Sequence, residues 1–250
     1  MRYLLKTHTL AGLTVRVFMC TLMLVLLLSG AAPADDGSSG ISYENTGAVI
    51  IKLMEDENSQ PGYIYTDVVF SSQTEVESFA QYFYKSYYYG STQVKVGYST
   101  RSDMPGEYSL CVYTEKPQEA AREQRVVEKK LEEAAAGMSA QGDYDRAMEV
   151  YQWTYDQFEY DYSLKSINVY SAFETGKTVC NGYARIFQAL CAGRGLECEI
   201  VYGVDHAWNR VMLDGQWRYV DITWNKNISE NRWLFLREEE MGSHQKQLEV

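Results

Sequence analysis

The spacing of apolar residues changes several times along the chain, and each change marks a candidate element. Val17 to Leu28 is an apolar run interrupted only by Thr21. Residues 35–47, rich in Asp, Gly and Ser, show no periodicity and read as a flexible leader. Ala48 to Met54 and Tyr63 to Phe70 read as two β-runs across the acidic turn 55–62. From Thr74 the spacing becomes helical: Val76, Phe79, Ala80, Phe83 and Tyr87 share a face, Thr74-x-x-Glu77 has capping-box form, and Gly90 can stop the helix. Thr92 to Ser99 and Glu107 to Thr114 predict a hairpin around Asp103-Met104-Pro105-Gly106. Pro117 opens a charged helix to Gly137 whose apolar stripe is Val127, Leu131 and Ala134 or Ala135. After Gly142, Asp143 is placed to cap a helix with Tyr144, Ala147, Met148, Tyr151, Tyr155 and Phe158 on one side. The expected junction is therefore residues 138–142, separating a small α/β amino-terminal region, 48–141, from a domain spanning 142–250.

The stretch from Gly176 to Trp224 has the clearest pattern. Thr178 is a candidate N-cap for a helix that holds Cys180 in its first turn, continues through Ile186, Phe187, Ala189, Leu190 and Cys191 and ends at Gly193 or Gly195. A strand at Glu199–Tyr202 leads through Gly203-Val204-Asp205 to a second strand, His206 to Leu213. Asp214-Gly215 is a strong two-residue turn, and Gln216 to Trp224 returns as its partner. A two-residue turn fixes the register: Leu213 faces Gln216, Val211 faces Arg218 and Trp208 faces Asp221. His206 then shares a sheet face with Asp221, diagonal to it at about 7 Å or less between Cβ atoms.

Composition narrows the class. The 250 residues are 46% hydrophobic and 23% charged, which fits a globular protein and excludes a disordered chain. A net charge of −11 disfavours binding to phosphate backbones or anionic lipid, so no nucleic-acid partner is expected. Arg2, Lys6 and Arg16 ahead of the apolar run, and Ala32-Pro33-Ala34 behind it, make residues 1–34 a secretory signal peptide; an uncleaved membrane anchor is the alternative. Cleavage removes three basic and no acidic residues, predicting a secreted or cell-surface protein of charge −14 with no stable membrane insertion. The 21 tyrosines, several clustered at Tyr82, Tyr84 and Tyr87 to Tyr89, read as core and rim packing.

Cys111, Cys180, Cys191 and Cys198 follow the leader, too few for a disulfide scaffold. Cys180 and Cys191 are separated by roughly 16 Å of helical rise, beyond disulfide reach. Cys191 with Cys198 is geometrically open, and both read as buried small hydrophobes. Cys180 is different, because a thiol in the first turn of a helix meets unpaired N–H groups and the positive end of the dipole, which favour thiolate. With His206 as base and Asp221 orienting it, the set has the parts of a nucleophilic triad. The other histidine beyond the leader, His244, lies in a polar tail.

Three blocks then resemble the transglutaminase-like superfamily: Gly176-Lys177-Thr178-Val179-Cys180-Asn181-Gly182-Tyr183-Ala184, His206-Ala207-Trp208-Asn209, and Trp217-Arg218-Tyr219-Val220-Asp221-Ile222-Thr223-Trp224. The resemblance implies an α+β, papain-like fold with the Cys helix packed on an antiparallel sheet, and acyl transfer through a thioester. By position it makes Cys180 the nucleophile, His206 the base and Asp221 the orienting acid. The backbone N–H of Cys180, or a group between Tyr162 and Tyr170, would supply the oxyanion donor. Trp208, Trp217 and Trp224 are expected to border the acceptor channel and bind a protein or peptide substrate. Hydrolysis by a cysteine peptidase or amidase is the first reading; crosslinking of glutamine to amines, or a non-catalytic cell-surface scaffold, are the alternatives. No metal site and no cofactor are expected: His-Glu-x-x-His, paired-Cys zinc spacing and an EF-hand loop are all missing from the sequence.

Overall fold

The computed structural model describes residues 6–10, 13–17, 41–101 and 104–242. It forms two units that part between Gln124 and Arg125, inside a helix. The first unit holds strands β1 (Lys6–Leu10) and β2 (Leu13–Val17), helix α1 (Tyr43–Glu55), strand β3 (Gly62–Phe70), helix α2 (Gln73–Tyr82), strands β4 (Lys95–Arg101) and β5 (Tyr108–Thr114), and the start of helix α3 (Pro117–Ala136). The sheet is ordered β1-β2-β4-β5-β3 with antiparallel neighbours. Its first two strands lie within the stretch read as a signal peptide. The rest of that stretch, with all but Val17 of the apolar run, lies outside the described residues, as does His244.

The β-run expected at Ala48–Met54 is instead part of helix α1, which begins at Tyr43 inside the presumed leader. The buried positions explain it. Tyr43, Thr46, Gly47, Ile50, Ile51 and Met54 recur at three- and four-residue steps, a helical face that the β-branched Val49-Ile50-Ile51 obscures. Ser42 caps this helix by accepting from Asn45 N at 3.3 Å, and Ser72 caps α2 by accepting from Glu75 N at 3.2 Å. The α2 cap thus sits two residues before the expected Thr74. A π-helical turn, Phe83–Tyr87, extends α2. Tyr88 stacks on Phe83 at 5.4 Å and donates its hydroxyl to Thr92 O, so this cluster is packing.

The second unit continues α3 and adds helix α4 (Asp143–Gln157), the short strand β6 (Glu159–Tyr160), helix α5 (Val169–Thr175), strand β7 (Lys177–Thr178) and helix α6 (Cys180–Gly193). Strands β8 (Cys198–Tyr202), β9 (Ala207–Leu213) and β10 (Gln216–Val220) follow, then helix α7 (Ile222–Ile228). The sheet is antiparallel in the order β10-β9-β8, and α6 lies against it. This is the expected α+β arrangement of a Cys helix on an antiparallel sheet. The register follows from the Asp214-Gly215 turn: Leu213 pairs with Gln216 and Val211 with Arg218, and both turn residues have positive φ. Asp143 is not the α4 cap. Gly142 holds that position, while the Asp143 carboxylate takes Arg146 at 2.5 Å and the N–H of Asp214 at 3.1 Å. Tyr144, expected on the buried face of α4, is 52% exposed.

Candidate active site

Cys180 is the first residue of α6, and the arrangement before it is built by backbone pairing. Strand β7 runs parallel to β6, with Tyr160 beside Thr178. Thr178 is therefore a strand residue and not the cap; its hydroxyl donates to Ser166 O at 3.3 Å, and Val179 occupies the N-cap position with no side-chain hydrogen bond. Asn168 and Asp221 cap α5 and α7 with their side chains, so the contrast with α6 is local and chemical. In the first turn of α6 Gly182 N donates to Val179 O at 3.0 Å, while no capping side chain covers the N–H groups of Cys180 and Asn181. Gly182 is required for this packing, because a Cβ there would overlap the Thr178 hydroxyl.

His206 stands at the head of β9, where the tight return is closed by Gly203 N donating to His206 O at 2.8 Å. Asn209, three residues on and 1% exposed, donates to Ala184 O at 2.9 Å and so pins β9 to the Cys-bearing helix. Cys180 and Tyr202 pack around Ala184, Ile200 and Ala207 in the same contact. Asp221 closes β10 and is fully buried. Its Oδ1 accepts from Trp224 N at 2.9 Å, capping α7, while Oδ2 lies 2.6 Å from His206 Nε2. With Nε2 so engaged, Nδ1 is the ring nitrogen left for the sulfur, and Cys180 is near enough to the ring to favour its protonated form.

The electrostatics follow from these contacts. Burial alone pulls the imidazole toward neutrality, but the hydrogen bond that the ring donates to the Asp221 carboxylate, with Cys180 beside it, outweighs burial and raises His206 from 6.5 to about 9. Two indoles also stack on the ring, Trp208 at 5.6 Å and Trp224 at 5.5 Å between centroids, each 23° from parallel. Aromatic faces attract a cation, so these neighbours favour imidazolium.

The three tryptophans expected to bind substrate do not form one surface. Trp208 is 2% exposed and packs with Tyr219 and Met241, which leaves it no face for a ligand. Trp217 pairs with Met212 and lies under the Arg210 guanidinium at 4.5 Å, four strand positions or roughly 13 Å from Asp221. Trp224 alone combines partial exposure with contact to His206. Two residues of this wall were not anticipated. Trp233 packs edge-on against Trp224 at 4.9 Å, and Asn225, wholly buried, holds Trp233 by its backbone N–H and C=O while donating to Tyr151 Oη. A second buried carboxylate, Asp161, ties the loop before α5 by accepting from Ser163, Lys165 and Ser166, which hold it well below the usual carboxylate range. Beyond it stand the exposed Tyr162, its ring 4.9 Å from Tyr160, and Leu164.

A thiol at an uncapped helix start, beside an imidazole oriented by a buried carboxylate on an antiparallel sheet, defines the papain-like class of α+β proteins. Residues 132–222 match the family model of the transglutaminase-like superfamily. Kyphoscoliosis peptidase of Mus musculus is 29% identical over 148 residues, 48% of this chain and 22% of that protein. Its Homo sapiens counterpart is 30% identical over 125 residues, 40% of this chain and 19% of that one. The chain thus spans about a fifth of the length of these curated relatives. Among solved structures, a transglutaminase (TGase) crystal structure aligns over 76% of this chain and 58% of that one, at 14% identity and TM-score 0.35. The periplasmic domain of TgpA from Pseudomonas aeruginosa aligns over 66% and 69%, at 16% identity and TM-score 0.31.

Proposed function

We propose that the protein is a thiol-dependent acyl-transfer enzyme acting on peptide or glutamine amides, most simply a cysteine peptidase or amidase that is exported. The observation that carries this is the Cys180–His206–Asp221 chain of contacts, with the 2.6 Å carboxylate bond on one ring nitrogen and the thiol on the ring as well. In the reaction, Cys180 Sγ bonds to the substrate carbonyl carbon and the C–N bond breaks. The amine leaves with the proton carried by His206. Water then attacks the thioester, gives a proton back to His206, and the acid departs as the C–S bond breaks. First-turn N–H groups of α6 are suited to the oxyanion, since no side chain caps that end.

The hydrolytic reading is favoured over crosslinking by the peptidase name of the relatives that share this segment. The test supplies a glutamine-containing peptide and a labelled primary amine together. Cleavage or deamidation without amine incorporation is expected; incorporation as the main product would replace hydrolysis by transamidation. Loss of neither activity in Cys180→Ala would remove the enzyme reading and leave a scaffold.

A further inference from the structure

We propose that Cys191 and Cys198 are an oxidisable dithiol whose disulfide staples the Cys180-bearing helix to the sheet that carries His206. Both are free thiols in the structure. Helix α6 ends in a reversal over Gly195, at φ +70°, with Leu196 N donating to Cys191 O at 2.8 Å and Gly195 N to Ala192 O at 2.9 Å. That double bond pattern is a Schellman turn, and it folds the chain so that β8 starts back along the helix. The turn sets the two thiols beside each other: burial first, and then the neighbouring Cys198 thiol, push Cys191 up. The backbone around Cys198 is already fastened to the helix: Gln188 Nε2 donates to Cys198 O at 3.2 Å, and Asn209 Nδ2 reaches both Ala184 O and the Cys198 sulfur, the latter at 3.7 Å. Closing the bond asks the two side chains to turn toward each other across a backbone that these contacts hold in place.

The oxidant is a small disulfide such as oxidised glutathione. Cys198 is half-buried and Cys191 fully buried, so exchange begins at Cys198. Its thiolate attacks the glutathione disulfide, forming a mixed disulfide and releasing one glutathione thiolate. Cys191 then attacks the Cys198 sulfur, the mixed S–S bond breaks, and the second glutathione leaves; the two protons lost by the cysteines end on the two glutathiones. Burial pushes the Cys191 thiol up, so the second step quickens with rising pH.

The experiment uses the full chain carrying Cys180→Ser, which removes the competing thiol and leaves the dithiol and buried Cys111 intact. After exposure to oxidised glutathione, the expected product has lost two hydrogens in mass, links residues 191 and 198 in a non-reduced peptide map, reverts with dithiothreitol, and melts on the order of 5 °C higher. Cys191→Ala should instead retain a glutathione adduct on Cys198. The inference is overturned if the parent also keeps that adduct, if Cys191 is found paired with Cys111, or if both thiols stay reduced. The parent's peptide map decides the matter even where the alanine variant does not fold. Because Cys180 is absent, the result is independent of the catalytic reading.

Discussion

Both units bury carboxylates, and two of them, one from each unit, are spent differently. Glu123, in the first unit and 3% exposed, accepts from Ser91 N, Ser91 Oγ and Thr92 N at 2.7 to 2.8 Å, so both its oxygens serve to hold a loop. Asp221, in the second, gives one oxygen to a helix cap and the other to an imidazole. Aromatic rings divide in the same way: Phe83 and Tyr88 stack on each other, whereas Trp208 and Trp224 stack on His206. A buried acid or a dense aromatic cluster is therefore no sign of chemistry in itself. What separates the two regions is a titratable ring at the end of the hydrogen bond with a nucleophile on its other side.

The difference can be pressed hardest at the nucleophile. Cys180→Ala should lower turnover by roughly 10⁴-fold or more, while circular dichroism and Tm stay near the parent's, since a small helix-compatible side chain replaces a small one. Next is a matched pair of carboxylate variants. Asp221→Asn keeps an oxygen able to cap α7 but loses the anion that supports the imidazolium, and turnover should fall by roughly 10²- to 10⁴-fold. Glu123→Gln should cost about 1–3 kcal/mol of stability, read by denaturant unfolding, with kcat unchanged. If Glu123→Gln lowered kcat as far as Asp221→Asn, the contrast between the two units would be lost.

A smaller effect appears with pH. Because His206 is raised to about 9, the protonated ring that serves the leaving amine disappears above that point, and turnover should fall along an alkaline limb near pH 9. The sign for stability is the same. A folded value above the unfolded 6.5 means its contribution is complete below about 6.5 and lost as pH rises through about 9, which unfolding measured across that window would record. Trp224→Ala, the mildest change, removes one of the two indoles stacked on His206. It should cost about 1 kcal/mol of imidazolium stabilisation and move the limb to lower pH by less than about one unit.

Local rules made much of the site legible. The Asp214-Gly215 turn determined the β9–β10 register, and from that register alone Asp221 and His206 fell within reach of each other. The start of α6 is legible to within one residue: a cap at Thr178 would begin the helix at Val179, but the Thr178 hydroxyl is drawn to Ser166 O and Val179 takes the cap position. Helix α1 was hidden because three consecutive β-branched or apolar residues imitate a strand while the burial spacing is helical. Trp233 was unreadable for another reason. The chain returns beside β10 through the Tyr219–Leu236 bridge and is held by Asn225, a tertiary arrangement with no short-range period. The i, i+2 spacing of His206 and Trp208 did place both on one face, and stacking could have been drawn from it.

The central claim, that sulfur, imidazole and carboxylate act as one acyl-transfer centre, is tested most directly by trapping the covalent intermediate. The protein would be quenched in acid moments after mixing with a reactive peptide ester, and its peptides mapped by mass spectrometry. The account predicts an acyl group on Cys180, absent in Cys180→Ala and slow to form in His206→Ala. Acylation distributed over other residues, or turnover at the parent rate with residue 180 unmodified, would contradict it.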